Sequence, residues 1–187
     1  MNYPNGKKTY SNKSKSTSNR GMSLEEDINK TNLRYLTNNE AIVYKKPTPI
    51  QIVKVDYPKR SAAKIVEAYF KVPSTTDYNG IYKEKYIDFE AKECESKTSF
   101  PFSSIHPHQI QHLDLVTKHG AIAFIILRMS SLDKDYLIKA DDFITYYNSG
   151  IRKSLPFSWI NKNGYEIKKS YTKPCDYLKV VDKVFDL

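Results

Sequence analysis

Two carboxylates and a lysine stand out for their type and spacing: Asp77, then Glu90-Ala91-Lys92 on the next β-like run. Alternation puts Thr75 and Asp77 on one face of the first run, and Glu90 and Lys92 on one face of the second. If the chain reverses near Lys83-Glu84-Lys85, Asp77 falls opposite Ala91 or Lys92. Cross-strand neighbours are only ~5 Å apart, which lets Asp77 and Glu90 share a divalent cation. Asn79-Gly80 is the stronger local hairpin signal and would leave Asp77 far from Glu90. The later turn is taken here because it makes the chemistry converge. Phosphodiester hydrolysis has use for such a trio, because a hard cation neutralises developing phosphoryl charge and acidifies a bound water. Magnesium binds through one or two carboxylates and keeps several waters. An ammonium at Lys92 would orient the attacking water and stabilise the pentavalent transition state. On spacing alone, such residues more often form the solvated face of a surface strand, because Asp and Glu-x-Lys spacings are common.

These residues need elements to hold them. Tyr86-Ile87-Asp88-Phe89-Glu90-Ala91-Lys92 alternates, with Ile87, Phe89 and Ala91 on one face and charge on the other. Pro107 to Lys118 reads as a helix with Ile110, Leu113 and Val116 inward and Gly120 as its stop. Ala121 to Leu127 is a continuous apolar run, expected as a buried central strand. Upstream, Ser23-Leu24-Glu25-Glu26 is a capping box opening a helix to about residue 37, followed by a short strand over Ala41 to Tyr44. Ile50 to Tyr57 and Lys64 to Phe70, joined by Pro58-Lys59-Arg60-Ser61, predict a hairpin flanked by Lys45, Lys46, Lys54, Lys59 and Arg60. Its charge fits a basic projection or an ordinary solvated hairpin. Downstream, Tyr136 to Ile138 suggests a strand, Asp141 a helix cap, Leu155 to Asn161 a short helix, and Asp176 to Phe185 an amphipathic closing segment. The pattern is that of a mixed α/β domain.

Composition bounds the function. The chain has 187 residues, 40% of them hydrophobic and 13% aromatic, which supports a real core. A formal charge of +9 implies a polyanionic partner, nucleic acid or an acidic membrane surface. No strongly basic amphipathic helix favours the membrane. Residues 1–21 carry Lys7, Lys8, Lys13, Lys15 and Arg20 without any Asp or Glu, and are expected as a disordered basic arm. Such an arm clamps phosphates or serves only as a soluble tail. The apolar runs are too short to span a membrane, no signal peptide is evident, and two cysteines are too few for a disulfide scaffold; a soluble, cytoplasmic protein is expected. His106, His108, His112 and His119 fall in one short span but lack partners at structural zinc spacing, so phosphate contacts or plain exposure are expected of them. Cys94 is expected as a strand-end filler, and no Gly-rich phosphate loop suggests an ATPase.

The Asp77…Glu90-Ala91-Lys92 arrangement resembles the PD-(D/E)XK nuclease pattern. Around it, Lys46-Pro47-Thr48-Pro49, Asp56-Tyr57-Pro58-Lys59-Arg60-Ser61, Ser74-Thr75-Thr76-Asp77-Tyr78-Asn79-Gly80, Tyr86 to Lys92 and Lys97-Thr98-Ser99-Phe100-Pro101 resemble the RecU family of Holliday-junction resolvases. Asn19-Arg20-Gly21-Met22 and His108-Gln109-Ile110 match as well, and the matches run collinearly over roughly residues 19–125. Pro107 stands where the family commonly has an acidic residue, Gln111 where it has a glutamate, and the C-terminal third matches loosely. The resemblance implies a restriction-endonuclease-like mixed β-sheet flanked by helices, with a projecting β-hairpin stalk at about 47–70 in a single nuclease domain over 22–187. It implies a magnesium site (Mn2+ as a substitute) on Thr75, Asp77, Glu90 and Gln109, with Lys92 stabilising the transition state. It also implies a homodimer nicking four-way junction DNA symmetrically, and a role with the RecA recombinase. The other class consistent with these residues is a catalytically idle, junction-binding accessory protein that modulates RecA. Phosphate contacts are expected from Lys7, Lys8, Lys13, Lys15, Arg20, Lys54, Lys59 and Arg60.

Overall fold

The computed structural model describes residues 22–71 and 75–187. The arm bearing Lys7, Lys8, Lys13, Lys15 and Arg20 lies outside them. The fold is organised by its most apolar segment. Strand β7 (Ile122–Met129) is buried along its whole length, as the uninterrupted hydrophobic run from Ile122 to Leu127 requires. On one side it pairs in parallel with β5 (Lys85–Cys94), and on the other antiparallel with β8 (Lys134–Lys139). Strands β4 (Tyr78–Tyr82) and β1 (Ile42–Lys45) extend the sheet past β5, and β10 (Tyr165–Ile167) closes the far edge. A parallel pair needs a crossover, and between β5 and β7 it contains α2 (Pro107–Lys118).

Helices cover both faces. On one, α1 (Met22–Thr37) and α5 (Leu178–Phe185) bury Leu24, Ile28, Tyr35, Val181 and Val184 against Ile87, Phe89, Phe124 and Ile126. Rings of Tyr78, Phe89 and Phe124 stack there at 4.7–4.9 Å between centroids. On the other face, α2, α3 (Ala140–Asn148) and α4 (Phe157–Asn163) cover Ala123, Ile125 and Leu127. A small ribbon of β6 (Ser99–Pro101) and β9 (Ser154–Pro156) seals that side. The mixed sheet flanked by helices is thus the architecture expected from the sequence. Among the described residues, no helix is long and apolar enough to cross a membrane.

The projecting hairpin is β2 (Ile50–Asp56) and β3 (Lys64–Phe70), with a 3-10 turn at Arg60–Ala62 near its tip. Every residue of both strands is exposed, so it stands off the body.

Several local expectations need correction. The later turn is not among them: β4 and β5 reverse at Lys83-Glu84 as expected, on two non-glycine residues at φ +46 and +63. Gly80 sits inside β4 instead, because β1 crosses so closely that a Cβ there would lie 2.0 Å from the Ile42 carbonyl oxygen. Asp77 and Thr75 precede β4 rather than alternating along it. The pairing of Tyr78 with Phe89 brings Asp77 level with Glu90, not with Ala91 or Lys92. Ser23 lies inside α1 rather than at its cap, and Asp141 lies in the first turn of α3, whose cap position is Lys139. The helix expected from Leu155 starts at Phe157, because Ser154–Pro156 pairs with β6.

Candidate active site

The β4–β5 hairpin and the first turn of α2 bring the sequence-singled residues to one place. Period-2 geometry along β5 points Asp88, Glu90 and Lys92 away from the Ile87, Phe89 and Ala91 core. Glu90 is completely buried. Its carboxylate accepts from the Asp77 backbone N–H (3.2 Å) and from the Gln109 amide (2.7 Å), and lies 2.5 Å from the Lys92 ammonium. The Asp77 carboxylate accepts weakly from the Ala91 N–H at 3.4 Å and stands 4.0 Å from Lys92 Nζ. Thr75, Asp77, Lys92 and Gln109 line one cavity of about 390 Å³, with His106 and Lys46 on its rim.

Gln109 faces this cluster for a local reason. Pro107 opens α2 at a position where no amide hydrogen is needed. The Gln109 carbonyl then reaches back to the His106 N–H at 3.0 Å, closing a capping box, and its NH2 is left to face Glu90. The carbonyl oxygen expected to complete an oxygen shell is therefore engaged by the helix cap. Thr75 is half-buried at the cavity, and its hydroxyl donates to the Thr76 carbonyl.

Burial pushes the Glu90 carboxyl up to about 8; the Lys92 ammonium pulls against this, and the Asp77 carboxylate adds to it. The site thus holds two close carboxylates, one of them buried, with the Lys92 ammonium within 4.0 Å of both. Its donors are two carboxylates, a hydroxyl and an amide. Among the described residues no group of three or more His, Cys, Asp or Glu side chains is placed to hold a metal ion. Two carboxylates with hard oxygen neighbours nevertheless fit magnesium, which fills its remaining positions with water.

A second cluster, on Asp88, was missed by sequence reasoning. Fully buried, its carboxylate accepts from the Thr76 and Tyr86 hydroxyls and from Lys46 Nζ at 3.0 Å, and meets His112 Nε2 at 3.2 Å. Asp88 therefore ties three elements together: the residue beside Asp77, the root of the projecting hairpin, and α2 just beyond Gln109. The Lys46 N–H adds a bond to the Asp77 carbonyl at 2.8 Å. The signal was available, since Asp88 shares the strand face of Glu90 and Lys92.

The remaining candidates lie elsewhere. Lys54, Lys59 and Arg60 are exposed on the hairpin, away from the cavity. Of the histidines, His106 stacks on His108 at 5.3 Å, His112 serves Asp88, and His119 is exposed at the end of α2. Cys94 is half-buried at the end of β5.

Comparison with known proteins places the whole chain in a family. The family model described as Recombination protein U (RecU) matches residues 19–183. The Holliday junction resolvase RecU of Oceanobacillus iheyensis is 51% identical over 195 residues, covering 99% of this chain and 100% of that protein. Its namesake from Geobacillus kaustophilus is 49% identical, covering 99% and 98%. Among solved structures, the Holliday junction resolvase Hjc of Archaeoglobus fulgidus aligns with a TM-score of 0.45 at 13% identity, over 78% of this chain and 95% of that one. With matching sequence along nearly its whole length and a carboxylate–lysine cluster at its centre, the chain belongs to the RecU family of nucleases.

Proposed function

We propose that this protein is a magnesium-dependent endonuclease that resolves four-way DNA junctions by paired symmetric nicks. The observation that carries the reading is the convergence of Asp77 and Lys92 on one cavity, with the buried Glu90 in contact with both, beside a hairpin that stands off the body. Asp77 and Glu90 would hold the cation, with Thr75 and Gln109 completing the polar wall directly or through water. When bound, magnesium supplies charge neutralisation at the scissile phosphate and an acidified water.

The chain's own residues do the rest. Glu90, anchored by the Gln109 amide and the Asp77 N–H, keeps a fixed position when the backbone phosphate enters. Lys92 Nζ, within 4.0 Å of both carboxylates, places a positive charge where the attacking water and the developing phosphoryl charge meet. Asp88 holds Thr76, and so the loop that presents Asp77.

Two symmetric nicks need two such sites, and a two-fold dimer supplies both from one chain. The hairpin supports this: Ile52, Val53, Val55, Ile65, Val66 and Phe70 are all more than 40% exposed, more apolar surface than a two-stranded ribbon carries comfortably in water. Lys54, Lys59 and Arg60 on the same hairpin would face the open centre of the junction. The protein would work in the cytoplasm, on DNA being recombined.

The test is one gel: labelled four-way junction and linear duplex, each with and without magnesium. Symmetric nicks in the junction alone, and only with the metal, support the reading. The accessory-protein reading, with RecA as partner and an idle site, requires a bound junction and no nicks under all conditions.

A further inference from the structure

Three concavities follow one another across the face of the sheet that carries the cavity. The catalytic cavity shares His106 with a second cleft of about 690 Å³, lined by Phe102, Ile105, Tyr147, Arg152 and Lys153. That cleft shares Arg152 with a third of about 500 Å³, lined by Tyr146, Trp159, Lys162 and Asn163. The Phe102 N–H bonds to the Lys153 carbonyl at 3.1 Å, fixing the basic segment beside the stretch that leads to His106. Trp159 lies half-buried against Tyr146, with ring centroids 5.1 Å apart.

Charge along this path has one sign. Arg152, Lys153 and Lys162 are exposed, and among the described residues none of them takes part in an ion pair. Elsewhere on this chain lysines are commonly matched: Lys45 with Glu25, Lys83 with Asp182, Lys118 with Asp114, Lys173 with Glu40. Unmatched cations beside Asn163 and Ser158 form a donor-rich groove, which suits phosphate oxygens.

We propose that the groove of Arg152, Lys153, Lys162 and Trp159 seats the phosphate backbone of the DNA arm that leaves the catalytic cavity. The proposal rests on the nuclease reading of that cavity. It adds a contact surface formed by β9, α4 and the loop before them. The partner is duplex DNA rather than an acidic protein, because the groove continues from the cavity in which a phosphodiester would be cut. Arm contacts of this kind fix orientation without reading sequence.

Trp159 is the chain's single tryptophan, so the groove carries its own reporter. The experiment titrates an unlabelled four-way junction into the full chain without divalent metal, reading tryptophan emission. The log–log salt slope of binding is measured in parallel with a labelled junction. The expected result is an emission change that saturates at the binding constant found with the labelled DNA. In Arg152→Ala/Lys153→Ala/Lys162→Ala, affinity should fall about tenfold or more and the slope flatten by up to about 2.7 units, at ~0.9 per lost phosphate contact. Thermal melts confirm that the variant is folded, and Arg152→Glu alone serves as a second variant with the same direction of effect. A control removing Lys30, Arg34 and Lys183, exposed on the α1 and α5 side, should leave the slope within one unit. An unchanged slope in the groove variant, or an equal flattening in the control, overturns the proposal whatever the emission does. A parent protein that binds no junction overturns the nuclease reading itself, which separates the two failures.

Discussion

Two antiparallel hairpins follow each other in this chain and are built in opposite senses. In β2–β3, apolar side chains such as Ile52, Val55, Ile65 and Phe70 face solvent. In β4–β5, Asp88 and Glu90 are sealed in the interior. Ordinary packing would bury the first set and expose the second. Each inversion costs stability, and each is where local rules yield to function. The exposed apolar ribbon is left uncovered by the described residues, and the buried carboxylates each meet a single lysine, Lys46 at Asp88 and Lys92 at Glu90. In the proposed function the first would be met by association and the second by a cation. Asp88 joins the two regions, because Lys46 at the root of the outer hairpin donates to the same carboxylate that holds Thr76 beside Asp77.

The comparison breaks most decisively at Lys92. Lys92→Ala should lower single-turnover cleavage by about 10²–10⁴-fold, since its charge is needed mainly in the transition state. Junction binding, read by gel shift, should stay within about twofold. If binding collapses in parallel, Lys92 belongs to the DNA contact surface and not to the chemistry.

Asp88→Ala tests whether the hub holds the inner hairpin together. It strands Lys46, Thr76, Tyr86 and His112 without their shared acceptor. Breaking a buried charged cluster by removing one member costs about 3–5 kcal/mol. That corresponds to a fall in Tm of roughly 10 °C for a chain of this size. Asp88→Asn, which keeps acceptor capacity, should recover part of the loss. A Tm within about 2 °C of the parent in Asp88→Ala would show that the cluster is replaceable by water.

Replacing Ile50 to Phe70 with a short Gly/Ser linker removes the outer inversion alone. Competition binding should show the junction-to-duplex preference dropping by about tenfold or more, because shape rather than base contact carries the selectivity. Sedimentation should show weaker self-association. A variant that folds and keeps the parental preference places selectivity elsewhere.

The smallest effect is on pH. Glu90 is raised from the usual carboxylate range to about 8, chiefly by burial. The folded protein therefore holds this proton more tightly than the unfolded chain between roughly pH 4.5 and 8. The associated stability is complete below the unfolded value and is lost as pH rises through about 8. Without metal, melts should fall with rising pH across that window by at most about 1.4 kcal/mol per unit. Glu90→Gln should flatten the dependence, and a slope identical in both proteins would remove Glu90 as its source.

Much of this was legible from sequence for identifiable reasons. The continuous run at Ala121–Leu127 was best read as a strand buried on both faces, and Pro107 with Gly120 bracketed α2 closely. Asp77, Glu90 and Lys92 were singled out by residue type together with the family resemblance, and the structure brings the three side by side. Their exact register was missed by one or two residues, because the turn taken over Lys83-Glu84-Lys85 closes in only two, with Tyr82 paired to Lys85. Two residues at positive φ, Lys83 and Glu84, make the actual turn, which no propensity favours. Strands β6, β9 and β10 are three residues each, too short for alternation to register. The Asp88 hub escaped because Lys46, Thr76 and His112 come from three distant segments, and only tertiary packing shows that they converge.

The proposed site places the chemistry on Asp77 and the buried Glu90 while the junction is held elsewhere. Single-turnover cleavage of a labelled four-way junction by Glu90→Gln, with bound fraction read in the same samples, tests it most directly. The account predicts a parental bound fraction and a nicking rate at least about 10³-fold below the parent at saturating magnesium. Nicking within about tenfold of the parental rate would contradict it, and would move the active site away from Glu90.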